Sequence, residues 1–227
     1  MEILFKIKVP WRQLHQKDLL SRVQMLKALP RAASVRGGGR TLPASWRRPQ
    51  ANVIKVNFEG SWKKGCPTGF GCVARNEEGL VMAAATAYPV DASSSLITEA
   101  LAFRWSLSIA ADLIFMDVVL ETDCLQLFDA WHKPLHGPSY FIYILKDCKD
   151  LVLSFRSFNL SFVRRSGNSV ADHLAKNSSR YPNHVWIEEV PPDCVPLIDY
   201  DETTCCLSRE KQERRTKLKS NFLTFRL

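Results

Sequence analysis

The chain has 227 residues, 46 % of them hydrophobic and 24 % charged, which fits one globular domain with extensions, or two small domains at most. No apolar run reaches the roughly 20 residues of a membrane-spanning helix, and the opening MEILFKIKVPW lacks the apolar length and small-residue cleavage site of a secretory signal. The seven cysteines are scattered without a C-x-x-C pair, so they point to no spaced zinc motif or disulfide framework and suit a reducing, intracellular setting.

The net charge of +8 sits at the ends. Residues 1–50 hold 11 Lys/Arg against Glu2 and Asp18, and residues 201–227 hold 7 against 4 acids, which leaves 13 against 17 in the middle. Basic arms on a mildly acidic domain suit a nucleic-acid partner, because arms neutralise phosphate without specifying sequence. They also point to residence in the nucleus or cytoplasm. No membrane partner is expected, and a monomer is.

Residues 11–30 carry a loosely helical pattern of leucines and Val23, followed by a Gly-, Arg- and Pro-rich linker to about Gln50. Ordered structure is expected from Asn52. NVIKVNFEG alternates Ile54, Val56 and Phe58 against Val53, Lys55 and Asn57, a strand with one apolar face. Two further strands are expected over about Gly69–Arg75 and Leu80–Ala87, and the short connections make the three an antiparallel meander. One of Ser93, Ser94 and Ser95 caps a helix with apolar positions from Leu96 to Ala110. A buried strand, Asp117–Glu121, follows. Asp123 opens a second helix to about Trp131, Tyr140–Leu153 forms a third, Phe155–Arg164 alternates as a fifth strand, and Asn168–Ser179 is the last helix. This order predicts an α/β domain whose five-stranded mixed sheet carries helices on both faces.

Four carboxylates fall where such a sheet converges. Glu59 ends the first strand, Glu99 lies in the first turns of the first helix, Asp123 follows the fourth strand, and Asp172 is one turn into the last helix. Strand ends and adjoining helix starts share one crevice in an open α/β sheet. Acids gathered there repel one another unless cations sit between them, and hard divalent ions want oxygen ligands. Taken singly, each acid is also explained by capping or by solvation of a helix surface.

The blocks KVNFEGSW, TEALAFRWSL, VVLETDCLQL and VRRSGNSVADHLAKNSS, in this order, resemble the ribonuclease H-like domains of plants, relatives of the terminal ribonuclease H of non-LTR retrotransposon polyproteins. The hairpin GFGCVARNEEG and the trailing VWIEEVPPDC resemble the same family, over about Val53–Val195. With composition and charge dividing the chain into residues 1–50 as extension and linker, 51–180 as the domain, 181–200 as a trailing segment packed on it and 201–227 as a basic flexible tail, the resemblance implies a ribonuclease H-like fold for the domain. It implies that Glu59, Glu99, Asp123 and Asp172 are catalytic ligands for two Mg²⁺ ions, with Mn²⁺ as a substitute, in an endonuclease that cuts the RNA of RNA–DNA hybrids. Asn57, Gly60, Ser61, Thr122, Arg164, Arg165 and Asn168 are then expected to contact the sugar–phosphate backbone.

Two departures from the family pattern bear on activity. The first ligand position is usually Asp and is Glu59 here. One extra methylene moves the carboxylate by about a bond length, when sites tolerate only about 0.5 Å. The loop before Asp172 also lacks the histidine of the bacterial enzymes, and His173, one residue past Asp172, does not replace it. The HKPLHGPSY connection leaves no room for a basic protruding helix, and Pro134 disfavours a metal pair from His132 and His136. Phe103, Trp105, Phe155 and Phe158 read as packing, and Cys205–Cys206 as part of the tail. The expectation is hybrid cleavage weakened by Glu59. The alternatives are an inactive nucleic-acid-binding module and a retroelement-derived remnant.

Overall fold

The computed structural model describes residues 45–207. The helical pattern read over residues 11–30, most of the linker and the far end of the basic tail lie outside the described residues.

The sheet is built from β1 (Ile54–Ser61), β2 (Thr68–Arg75), β3 (Val81–Val90), β4 (Asp117–Thr122), β5 (Ser157–Phe162) and β6 (Val185–Ile187). Their order across the sheet is β5-β4-β1-β2-β3-β6. β1, β2 and β3 pair antiparallel, as their short connections require, and β4 and β5 join β1 in parallel. The helices are α1 (Ser95–Asp112), α2 (Leu125–Trp131), α3 (Tyr140–Leu151) and α4 (Ser169–Lys176), and residues 195–207 form α5. Ser94 caps α1 by accepting from the Ile97 N–H at 3.3 Å, and Ser139 caps α3 through Ile142 in the same way.

The sheet has six strands where five were expected. β6 pairs antiparallel with β3 through Ala83–Ile187, Ala84–Trp186 and Ala85–Val185. Three residues are too few for an alternation signal, so this strand exists only because the β3 edge is there to receive it. Two helices are also shorter than expected. α3 ends at Leu151 and tightens into the 3₁₀ turn Val152–Ser154, and α4 ends at Lys176 before the turn Ser178–Arg180.

Alternation along the strands divides the core in two. Val56, Phe58, Leu120 and Leu160 point to one face and meet Phe103 and Leu107 of α1 and Leu145 of α3. The Phe58 and Phe103 rings stack at 5.4 Å. Phe103 is fully buried, so truncating it to Ala costs about 3–5 kcal/mol. On the other face Val73 and Ala84 pack against Val170 and Leu174 of α4 and against Cys194. α4 lies so close to β2 that a Cβ on Gly71 would fall 2.4 Å from the Ala175 nitrogen. Glycine is what lets α4 settle there.

The flexible tail expected from residue 201 begins instead as the ordered helix α5. Asp201 is 1 % exposed and ion-pairs with buried Arg75 at 2.8 Å, and Cys205 is buried. Arg75 stacks on the Trp46 ring at 3.7 Å, and Arg48 pairs with Glu202. The polar composition of this segment concealed two residues whose partners lie far away in sequence.

Candidate active site

β1 delivers Glu59 to the rim of the sheet by simple alternation: Val56 and Phe58 face the α1 side, and Lys55, Asn57 and Glu59 face the α4 side. The backbone then passes α1 at Gly60, where a Cβ would stand 2.6 Å from Thr98 Cγ2 and 3.0 Å from the Thr98 backbone. That approach sets Glu59 beside Glu99 and brings the Gly60 N–H near the Glu99 carboxylate, where it favours the charged form. Asp123 leaves the end of β4 in a bend held by Thr122, whose Oγ1 accepts from the Cys124 N–H at 3.0 Å. Asp172 projects from the first turn of α4.

All four acids line one cleft of about 410 Å³, together with Gly60, Ser61, Trp62, Ser95, Arg165 and Lys176. The Glu59 carboxyl is within hydrogen-bonding reach of both Glu99 and Asp123. Burial, then the charges of Glu99 and Asp123, push Glu59 up to about 10. Burial and the charge of Asp123 push Glu99 up to about 8. Crowded carboxyls with little water around them hold protons at neutral pH unless another cation takes their place. Glu99 Oε2 is buried with no hydrogen-bond partner. An all-oxygen donor set with an orphaned, desolvated oxygen suits a hard divalent ion.

Asp172 is the acid that already has cations. Arg165 Nη2 lies 3.1 Å from Oδ1, and Lys176 Nζ, one helical turn on, lies 2.7 Å from Oδ2. Both partners are more than half exposed, so these pairs are weak and exchangeable. Glu121, the sheet's neighbouring acid, is in contrast fully engaged. It takes Lys55 at 2.7 Å and the Asn57 amide at 3.1 Å, and it belongs to the framework.

The expected backbone-contacting residues divide in two. Gly60, Ser61 and Arg165 line the cleft, and Arg164, which precedes Arg165, is exposed and outside the lining. Asn57, Thr122 and Asn168 are buried at 1 % exposure or less and hydrogen-bonded inside the protein, which corrects the expectation that they reach nucleic acid. Asn57 is held among Glu121, Arg75 and Gly167. Asn168 donates to the Phe58 carbonyl and to Glu59. Lys176, Trp62 and Ser95 were not singled out from sequence. Lys176 was within reach, since an i, i+4 spacing from Asp172 puts both on one helix face. His173 points away from the cleft and lies 3.2 Å from Asp193. His132 bonds the Phe128 carbonyl and His136 is exposed, so neither joins the acids.

A family model described as reverse transcriptase-like matches residues 57–178, more than half of the chain and all four acids. The chain belongs to the reverse transcriptase-like family. A search of curated proteins returns no match. Among solved structures, this reverse transcriptase-like domain is similar to ribonuclease H1 from the halophilic archaeon Halobacterium salinarum, at 20 % identity and a TM-score of 0.53, over 57 % of this chain and 98 % of that one. It is similar to the N-terminal ribonuclease H domain of a Mycobacterium tuberculosis protein, at 17 % identity and a TM-score of 0.51, over 57 % and 94 %. It also resembles LC11 ribonuclease H1, isolated from compost, at 17 % identity and a TM-score of 0.51, over 57 % and 97 %. The fold is ribonuclease H-like.

Proposed function

We propose that the protein hydrolyses the RNA strand of RNA–DNA hybrids at the cleft of Glu59, Glu99, Asp123 and Asp172. The observation that carries this reading is the gathering of four acids from β1, α1, β4 and α4 into one cleft. The ribonuclease H-like fold supports it, as does the family to which the chain belongs. The four carboxylates would hold two Mg²⁺ ions, or Mn²⁺ in their place. Such ions supply an activated water and neutralise charge at the leaving oxygen of a phosphodiester.

The chain's own residues do the rest. Asn168 fixes the Glu59 carboxyl, and the nearby Gly60 N–H favours the ionised form of Glu99. Arg165 and Lys176, at the cleft wall, offer positive charge to a phosphate that displaces them from Asp172. Hybrid recognition then rests on shape and backbone rather than on base edges. The four sequence blocks further support a plant, retrotransposon-related lineage for the domain.

A second reading keeps the nucleic-acid partner and drops the chemistry. It is favoured by Glu59, whose extra methylene, in a carboxyl already bonded to Asn168, displaces the first ligand from where an Asp would hold it. Cleavage of a labelled hybrid, with and without divalent metal, decides between the two. Weak cleavage is expected, better in Mn²⁺ than in Mg²⁺ because Mg²⁺ demands near-ideal octahedral geometry. Glu59→Asp should stimulate it and Asp123→Asn abolish it. If Glu59→Asp is folded yet inert in both metals, the binding reading takes its place.

A further inference from the structure

His173, Asp193 and Cys194 form a second cluster, behind the helix that carries Asp172. One ligand atom from each, an imidazole nitrogen, a carboxylate oxygen and the thiol sulfur, lies within 4.8 Å of the others. The residues come from two places. His173 is on α4, while Asp193 and Cys194 close the 3₁₀ turn Pro192–Cys194 of the trailing segment. Sequence spacing gives no hint of the group, since no C-x-x-C or paired histidine is involved.

Two polar atoms here lack what burial usually demands. His173 Nε2 and Asp193 Oδ1 are both buried and neither has a hydrogen-bond partner. Nε2 lies 3.2 Å from Asp193 Oδ2, without hydrogen-bond geometry, and Oδ2 is already the acceptor from Arg180 Nη1 at 3.0 Å. Oδ1 is thus left over, on the same carboxylate that Nε2 approaches. Buried polar groups without partners are few in folded proteins and call for an explanation. Cys194 is fully buried among Val73, Ala84, Val170 and Leu174, which fixes its position. The His173 and Asp193 side chains are 32 % and 27 % exposed, so the cluster lies near the surface while its two unpartnered atoms are themselves buried.

We propose that His173, Asp193 and Cys194 bind one Zn²⁺ ion. Thiolate, imidazole and carboxylate together select a borderline-soft ion and disfavour Mg²⁺, which takes oxygen ligands. Zn–N and Zn–O bonds of about 2.0–2.2 Å and a Zn–S bond of about 2.3 Å need donors closer together than 4.8 Å, so binding draws the three inward by a modest closure. One water would complete a tetrahedron as the fourth ligand. The site ties the trailing segment to α4, one residue from Asp172, and it is distinct from the acid cleft in both ligands and ion.

The test uses the full chain, reduced and freed of metal, with excess Mg²⁺ present to occupy the acid cleft. Co²⁺ serves as the spectroscopic stand-in for Zn²⁺. We expect thiolate-to-cobalt charge-transfer absorption that Zn²⁺ abolishes at one equivalent, and a rise in Tm on adding Zn²⁺. Cys194→Ser should remove the absorption. His173→Gln and Asp193→Asn should each weaken Zn²⁺ binding by at least about tenfold, the loss already typical for supporting residues around a metal. His173 and Asp193 are partly exposed, so their variants keep the test alive if Cys194→Ser fails to fold. Asp123→Asn should leave the absorption unchanged. Absence of the absorption in the parent chain overturns the proposal. So does absorption that survives Cys194→Ser, which would come from Cys66, Cys205 or Cys206, and so does Zn²⁺ affinity unchanged in His173→Gln and Asp193→Asn.

Discussion

The side-chain amide of Asn168 donates to Glu59 Oε2 at 2.9 Å across 109 residues of sequence, and the same nitrogen reaches the Phe58 carbonyl at 3.0 Å. One buried amide thus ties the end of β1 to the start of α4 and fixes the carboxyl at the centre of the acid cleft. Asn168→Ala takes a buried donor from both acceptors, which costs about 1–3 kcal/mol. Urea unfolding should register that loss, and hybrid cleavage should fall further than stability alone explains. Full cleavage by a destabilised Asn168→Ala protein would remove Asn168 from the site's support.

Gly60 makes the second support. An alanine Cβ there would meet Thr98 Cγ2 at 2.6 Å and the Thr98 backbone at 3.0 Å, so Gly60→Ala must push β1 and α1 apart. Overpacking of this kind costs about 1–3 kcal/mol. Pairing Gly60→Ala with Thr98→Ser, which deletes the clashing methyl, should recover part of the loss in Tm. Equal Tm values for Gly60→Ala and the parent chain would contradict the close approach.

The acid cleft makes stability depend on pH in a stated direction. Glu59 and Glu99 rise from 4.5 to about 10 and about 8, so in chelator the folded state binds more protons than the unfolded state above pH 4.5. Stability is therefore fully present below about 4.5 from these two groups. It declines as pH rises towards 8 and, for Glu59, on to 10. Glu59→Gln should flatten the decline, and saturating Mg²⁺ should do so in the parent chain. A Tm in chelator that rises between pH 5 and pH 9 would contradict the burial of these carboxyls.

Arg165 and Lys176 make a different prediction, because both are exposed and, among the described residues, pair with Asp172. Arg165→Ala should leave Tm nearly unchanged and weaken hybrid binding at low salt. The slope of log affinity against log salt should fall by about one, the signature of a lost phosphate contact. An unchanged slope would leave Arg165 a partner of Asp172 and nothing more.

Asp201 tests the docking of α5. It and Arg75 are each 1 % exposed, and burial pushes both towards their neutral forms while each opposes that in the other. Asp201→Ala strands a buried guanidinium and should cost about 3–5 kcal/mol, whereas Arg75→Met with Asp201→Leu should recover most of it. A cost below about 1 kcal/mol by urea unfolding would mean that α5 does not hold Asp201 against the sheet.

The sequence by itself determined the element order from β1 to α4, the antiparallel meander and the placement of the four acids at strand ends and helix starts. Each is a local property: a period of two in NVIKVNF, a serine before an apolar helix, an acid one residue past a strand. The tertiary structure alone decided which polar residues face the cleft. Asn57, Asn168 and Thr122 look like surface contacts in sequence because they flank the acids, yet all three are buried, Asn57 against Glu121 and Arg75 and Asn168 against Phe58 and Glu59. The polar segment after residue 200 forms a helix that sets Asp201 against buried Arg75, a counter-charge more than a hundred residues earlier. The same holds for β6, whose three residues become a strand only by completing the edge of β3. Partners distant in sequence set the energy of a buried polar group, and no local pattern records them.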